Sequence, residues 1–387
     1  MPILNRAAEL HEEVTGWRRH LHTIPELQYD VYQTAAFVEE KLRAFGCDEV
    51  VPGIGRTGVV GLIRGNLGDG PTIGLRSDMD ALPLTETTGK PYASTTPGKM
   101  HACGHDGHTA MLLGAAKYLA ETRNFAGAVA VIFQPAEEGG AGGKAMIEDG
   151  MLERFGIARV FGMHNMPGLP VGQFAIRPGP LMAATAEFTI TVRGKGGHAA
   201  MPHDTIDPIV IASQIVQALQ TIASRTVDPL DSIVVSVTKF QAGDAYNVIP
   251  QSALLAGTIR TLRSEVGEMS RTRMRAICDG IAAAHGASVD VAISVNYPVT
   301  HNDPGETDFA IGVASGIAGA ANVKTDINPV MGGEDFSYML EQRPGAFIFA
   351  GNGSTAALHN PAYDFNDELI PHGISYWVKL TETALAR

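Results

Sequence analysis

Apolar positions along this chain recur with two different periods. Leu4, Ala8, Leu10, Val14, Trp17 and Leu21 follow helical spacing, which predicts a first helix with His20 and His22 on its face. A second helix is predicted from Val31 to Phe45, with Asp30 as its N-cap and Gly46 as its stop. The pattern then changes to short apolar runs that end in polar residues: "TGVVGLI", "PTIGLRSD", "AVAVIFQP" and "RVFGMHNM". Between them "HTAMLLGAAKYLAE" and "GGKAMIEDGML" read as helices. Strand–helix alternation implies an α/β layer with a mostly parallel sheet, whose sites gather at the carboxyl ends of the strands. Asp78, Asp80, Glu137, Glu138 and His164 stand at such ends.

From Ala184 the pattern differs. "AEFTITVRG" alternates as a strand, and "IDPIVIASQIVQALQTIAS" reads as a helix with Asp207-Pro208 suited to its first turn. "SIVVSVTKFQ" and "SALLAGTIRTL" are two further strands. A helix closed by Gly286 and the strand "SVDVAISVNYP" follow. This β-α-β-β-α-β order is the ferredoxin-like arrangement. The α/β pattern resumes with "GAFIFAGNG" and the helix "ISYWVKLTETALAR". The expected fold is therefore α/β: a mixed-sheet domain made of residues 1–183 and 296–387, interrupted by an inserted α+β domain at 184–295.

Composition narrows the partners. Acidic residues outnumber basic ones by 41 − 29 = 12, and no basic run offsets this, which argues against nucleic acid and anionic membranes as partners. No stretch approaches a membrane span, and the N-terminal residues lack the basic and apolar regions of a signal peptide. Cys47, Cys103 and Cys278 form no framework of pairs, so a reducing cytoplasm is the expected compartment. Cys47 and Cys278 read as packing residues.

The densest chemistry lies in "MHACGHDGHTAM". Thiolate and imidazole suit zinc and similar divalent ions, yet Cys103 and His105 lack the second pair a closed structural zinc site needs. Further ligands must come from distant strand ends, where Glu137, Glu138, His164 and His359 are the candidates. Adjacent carboxylates at a strand end point in different directions, so one can bind metal while its neighbour faces a water. That is the arrangement metal-assisted hydrolysis requires. Asp78 can orient a ligand from behind. Read one at a time, His164 and His359 are ordinary loop or core histidines and Glu137-Glu138 a solvated pair. His108 reads as structural, and His101 as supporting or surface-exposed.

Read together, the motifs "GLRSDMDALP", "MHACGHDGHTAMLLG", "FQPAEEGGAGGKAMIEDG", "GMHNMPGLPVG", "GKGGHAAMPH", "NVIPQSALLAGTIRT" and "MGGEDFSYM" resemble, in order, those of the M20 metallopeptidases. The resemblance is to the amidohydrolase branch, which contains hippurate hydrolases, N-acyl-amino-acid aminoacylases and auxin-conjugate hydrolases. It implies two divalent metal ions (zinc, manganese, cobalt or nickel) held by Cys103, His105, Glu138, His164 and His359, with Glu137 as general base. Arg76-Ser77-Asp78 stands where most M20 peptidases carry His-x-Asp, which leaves the bridging ligand open. The resemblance also implies that His198 steadies an oxyanion, and that Asn247 and Arg260 bind the substrate carboxylate or line that contact. Met182, Met331 and Phe336 are candidates for an acyl pocket. The inserted domain is expected to act as a lid and to form a homodimer, or a tetramer built on it.

The implied activity is hydrolysis of the amide bond of N-acyl amino acids by a metal-activated water. Three other readings compete: a dipeptidase or carboxypeptidase of the same family, a hydrolase with Cys103 as nucleophile and His105 as base, and a non-catalytic metal- or ligand-binding protein. The cysteine reading leaves the glutamate pair and His359 without a role.

Overall fold

A computed structural model describes residues 3–387, which divide into two compact units. The first contains the chain up to Leu181 together with His301–Asn328 and Asp335–Arg387. Its eight-stranded sheet runs in the order Glu49–Ile54, Gly58–Arg64, Ala128–Gln134, Thr72–Asp78, Ile157–Pro167, Gly345–Gly353, Phe174–Ala175, Val323–Lys324. The four strands from Ala128–Gln134 to Gly345–Gly353 are mutually parallel. Ala128–Gln134 is buried at every position, which explains its unbroken apolar run: helices cover both faces of a parallel sheet.

The strand Glu49–Ile54 is not evident in the apolar pattern. It contains Pro52, which lacks the N–H a central strand needs, and it lies at the sheet edge, antiparallel to Gly58–Arg64. The first predicted helix is interrupted at Leu10, giving Asn5–Glu9 and His11–Thr23. "GGKAMIEDGML" likewise splits into Gly142–Glu148 and Met151–Arg154, separated by Gly150 in the left-handed region at φ 78°. Asp30 does not cap the helix Tyr32–Ala44. Glu26 reaches across instead, accepting from the backbone N–H of Gln33 at 3.1 Å and of Thr34 at 2.9 Å. The longer glutamate side chain lets a residue outside the capping positions satisfy the open amides of the first turn.

The second unit comprises Met182–Thr300 and Pro329–Glu334. Its antiparallel sheet runs Ile233–Ala242, Ser252–Thr261, Ala184–Arg193, Ser288–Tyr297, the ferredoxin-like order. Alternate residues Ala186, Phe188, Ile190 and Val192 pack with Ile211, Ile215 and Leu219 of helix Pro208–Thr221 and Met274 and Cys278 of helix Ser264–Ala284. Asp207 caps the first of these helices, accepting from the Ile209 N–H at 2.8 Å, with Pro208 in its first turn. Among the described residues no helix is long and apolar enough to cross a membrane.

In the first unit, helix His105–Thr122 is buried along most of its length and packs against His11–Thr23 and Ile370–Ala384. His22 sits in that packing rather than on an open helix face, at 1% exposure. Its Nδ1 lies 2.7 Å from Asp106 and its Nε2 3.3 Å from Glu86, while Arg18 Nη1 is 3.6 Å from Asp106. Burial opposes protonation of His22, but the two carboxylates outweigh it and push its pKa up to about 9. Because the folded value lies above the unfolded one, the stabilisation is complete below about pH 6.5 and lost as the pH rises through 9. Chemical denaturation should therefore show stability falling by on the order of 3 kcal/mol across that window. His22→Gln should be less stable at pH 6 and flatten the slope; an unchanged slope would contradict the pairing.

Candidate metal centre

Strand Thr72–Asp78 lies between Ala128–Gln134 and Ile157–Pro167, parallel to both, so three carboxyl ends stand side by side. They carry Asp78, the Glu137-Glu138 pair three residues beyond Gln134, and His164. Gly345–Gly353, the next parallel strand, leads into the loop that holds His359. His359 has a left-handed backbone at φ 60° and is tied by its N–H to the Ala102 carbonyl at 2.8 Å. Cys103 and His105 flank Gly104, whose φ of 88° turns the chain into the helix beginning at His105.

These elements bring together the residues the sequence singles out. The donor atoms of Cys103, His105 and His164 lie within 4.8 Å of one another, as do those of Cys103, Glu138 and His359. Cys103 belongs to both groups. Its Sγ is 3.4 Å from His164 Nε2, and His359 Nε2 is 3.2 Å from Glu138 Oε1. Glu137 forms a further group of the same size with His105 and Glu138.

Backbone carbonyls set the imidazole orientations. His105 Nδ1 is 2.8 Å from the Asp80 carbonyl and His164 Nδ1 is 2.7 Å from the Asn165 carbonyl. Each Nε2 is thereby turned toward the cluster, and that of His105 is buried with no hydrogen-bond partner. An unpartnered imidazole nitrogen among a thiol and carboxylates fits a divalent cation, and the carbonyl contacts are the kind that orient metal-bound histidines. His108 plays a different part. Its Nε2 accepts from the Asn165 N–H at 2.9 Å, so its Nδ1 carries the proton toward Asp78 Oδ1 at 2.7 Å. Both nitrogens are committed to protein.

The electrostatics follow from burial among like and unlike charges. Burial raises the Cys103 thiol well above its ordinary range, helped by Glu138 and Glu137. Burial and the nearby His108 hold His164 well below its usual value. Burial pulls His105 the same way, but Asp78 and Asp80 overcome it and push its pKa up to about 10. Asp78 is held well below the carboxylate range despite burial, by His105, Arg76 and His108. His359 is raised chiefly by its hydrogen bond to Glu138. A cation binding here displaces protons from Cys103 and His105.

Residues 74–383 match peptidase family M20/M25/M40. The chain is 44% identical over 380 residues to a hippurate hydrolase of Campylobacter jejuni, covering 98% of both chains. It is 43% identical over 363 residues to an N-acetyl-L-cysteine deacetylase of Bacillus subtilis, covering 93% of this chain and 85% of that one. A solved Bacillus subtilis structure, described as a dinuclear metal binding peptidase from the M20 family, superposes with a TM-score of 0.85 at 36% identity, covering 98% and 99% of the two chains.

The chain belongs to peptidase family M20/M25/M40. Its relatives fit the amidohydrolase branch of M20. Arg76 is fully buried and bonds Asp78 at 2.7 Å, Gln134 at 2.9 Å and Asp335 at 2.9 Å. It is a fixed cation that ties three segments together. His198 and Asn247 meet in the second unit: His198 is exposed and pairs in register with Val248, and the Ala199 N–H donates to the Asn247 carbonyl at 3.0 Å. Arg260 lies in strand Ser252–Thr261, opposite Thr185 and Val234. Phe336 does not line a pocket, since it is fully buried against Phe347. His101 is also fully enclosed, and burial pushes its pKa down to about 3.

Sequence reasoning leaves Asn165, Tyr363 and Asp335 without a role. Asn165 donates to the Cys103 carbonyl at 2.6 Å and accepts from the Tyr363 hydroxyl at 2.9 Å. The usable signal is its position beside His164; for Tyr363 none stands out. A Cβ on Gly104 would lie 2.4 Å from Asn165 Nδ2 and 2.5 Å from the Tyr363 oxygen, in a backbone region L residues avoid. Gly104→Ala is expected to lower stability by roughly 2–3 kcal/mol. It should also weaken metal retention, checked by thermal unfolding and metal analysis after dialysis.

Proposed function

We propose that this protein hydrolyses the amide bond of N-acyl amino acids to a carboxylic acid and a free amino acid, using two divalent cations. The observation that carries the reading is the convergence of Cys103, His105, Glu138, His164 and His359, whose donor atoms fall into overlapping groups of three. In this reading Cys103, His105, Glu138, His164 and His359 would hold the cations. The donor chemistry fits zinc, manganese, cobalt or nickel. When bound, such cations polarise the scissile carbonyl and lower the pKa of water.

The chain's own residues then divide the work. Glu137, buried beside His105 and Glu138, takes a proton from the attacking water as its oxygen joins the acyl carbon. The same carboxyl returns that proton to the leaving amine nitrogen as the C–N bond breaks. Asp78, His108 and Asn165 hold the imidazoles in place. His198 steadies the oxyanion. Asn247 and the Arg260 fork take the free carboxylate of the substrate. The inserted unit serves as lid and dimerisation surface. The free cysteines Cys47, Cys103 and Cys278 accord with a cytoplasmic location.

The test is amine release from N-acetyl, N-benzoyl and indole-acetyl amino acids and from dipeptides, on metal-free protein and after adding each divalent metal. Turnover should appear only with metal, and acyl amino acids should outpace dipeptides. Activity indifferent to chelation would move Cys103 from ligand to nucleophile. Stoichiometric ligand binding without turnover would favour a binding protein. Glu137→Gln should retain metal while turnover falls about 10²–10⁴-fold; near-normal rates would remove Glu137 from the role of base.

A further inference from the structure

We infer that a cavity of the first unit, separate from the metal centre, binds a small uncharged carboxamide. The inference is independent of the functional reading, since none of the metal-centre donors lines this cavity.

The cavity has a volume of about 360 Å³, within the range of small-molecule sites. Ile3, Val171 and Ile317 supply an aliphatic wall, and Gln173, Asn322 and His372 supply a polar one. Two of these polar groups are incomplete. Gln173 Oε1 and His372 Nδ1 are buried and, among the described residues, meet no hydrogen-bond partner. A buried polar atom left unpaired is destabilising, and two in the wall of one cavity call for a common partner.

Both side chains are presented by fixed backbone. The Gln173 N–H donates to the Pro170 carbonyl at 3.1 Å, and the Gln173 carbonyl accepts from the Gly351 N–H at 2.9 Å. The last torsion of a glutamine is soft, so either end of its amide can turn toward the cavity. His372 lies in the first turn of helix Ile370–Ala384, against Gly172, whose φ is 82°. A Cβ on Gly172 would come within 3.1 Å of the His372 ring. The glycine therefore serves both the turn and the seat of the imidazole. The polar wall is preformed, which lowers the ordering that a ligand must impose.

The chemistry of the wall selects the ligand. Among the described residues no Asp, Glu, Lys or Arg lines the cavity. Burial lowers the pKa of His372 against the pull of Glu368, so the ring is neutral at pH 7. An ionised ligand would find no opposite charge there. Asn322 Nδ2 is already engaged by the Ala318 carbonyl at 2.9 Å, which leaves the Asn322 oxygen as acceptor. The wall thus offers two side-chain oxygens, from Gln173 and Asn322, and an imidazole that can donate. A primary carboxamide answers all three, because its NH2 donates twice and its oxygen accepts. An alcohol has a single O–H to give. A short branched aliphatic body completes the fit to Ile3, Val171 and Ile317.

The probe is isobutyramide, compared with isobutyrate and isobutylammonium, which keep its shape and carry a charge. Binding is read from the ring resonances of His372 in histidine-labelled protein, assigned with His372→Phe, in metal-free and metal-loaded samples. Isobutyramide should shift these resonances saturably, with a dissociation constant of about 1 mM in both samples. Each ion should bind at least about tenfold more weakly. Gln173→Met keeps the chain length and removes both polar atoms. It should weaken the amide about tenfold with no loss of thermal stability, whereas a purely structural glutamine would lower the unfolding temperature when replaced. Equal affinity for the three probes, or unchanged amide affinity in Gln173→Met, would overturn the inference. So would a response seen only with metal bound, which would place the amide at the metal centre. An amide visible in soaked crystals but without a saturable shift in solution would be binding at crystal concentration only, and would overturn it too.

Discussion

Ionised groups withdrawn from water cost several kcal/mol each unless an opposite charge faces them. The carboxyl end of this parallel sheet is built around that constraint. Arg76, Asp78, Asp80, His105, His108 and Asp335 are all essentially without solvent exposure. They are tolerable because the strand order sets each against a partner. Arg76 from one strand faces Asp78 of the same strand, Gln134 of the next and Asp335 from a distant loop. Asp335 in turn accepts from the Gly143 N–H at 2.8 Å, where a short helix begins. The framework beneath the donor cluster is thus a lattice of charge-assisted hydrogen bonds, stronger and shorter than neutral ones. The donors are presented on top of it by segments whose own conformations it determines.

Much of this organisation was legible in the chain before its fold was known. Parallel strands buried on both faces leave unbroken apolar runs, and polar residues at their ends mark the active edge of the sheet. The period-two alternation of "AEFTITVRG" and the capping pair Asp207-Pro208 announced the second unit equally clearly. These are local signals. What escaped was non-local. Glu26 caps a helix from outside the capping positions. His22 looks like a helix-face residue until Asp106, 84 positions away, is set against it. Asp80 and Glu137 are 57 positions apart, and nothing in either stretch predicts that one carboxylate meets two amides. Nor does any spacing reveal that Cys103, His105, Glu138, His164 and His359 converge, because that depends on four separate segments arriving at one place.

Arg76 is a fixed cation within this framework, bonded on three sides. An imidazole can be a ligand in one state and a proton carrier in another. A guanidinium in the same place can be neither, because it keeps its charge and offers only donors. Asp78 is accordingly engaged by Arg76 and His108 through its two oxygens.

The discontinuity of the first unit bears on how the protein comes to be made. Its sheet has Gly345–Gly353 next to Ile157–Pro167, yet the whole ferredoxin-like unit is encoded between them. On the ribosome, the strands up to Ile157–Pro167 emerge with one flank unpaired, and the four sheet strands of the inserted unit, all within Ala184–Tyr297, can pair first. A nascent parallel sheet with an open flank is slow to close and prone to pair with other chains. The Cys103, His105 and His164 donors are encoded before that unit, whereas His359 is translated later still. Order of synthesis therefore staggers the two donor groups, the first having all its residues once His164 is made and the second only with His359.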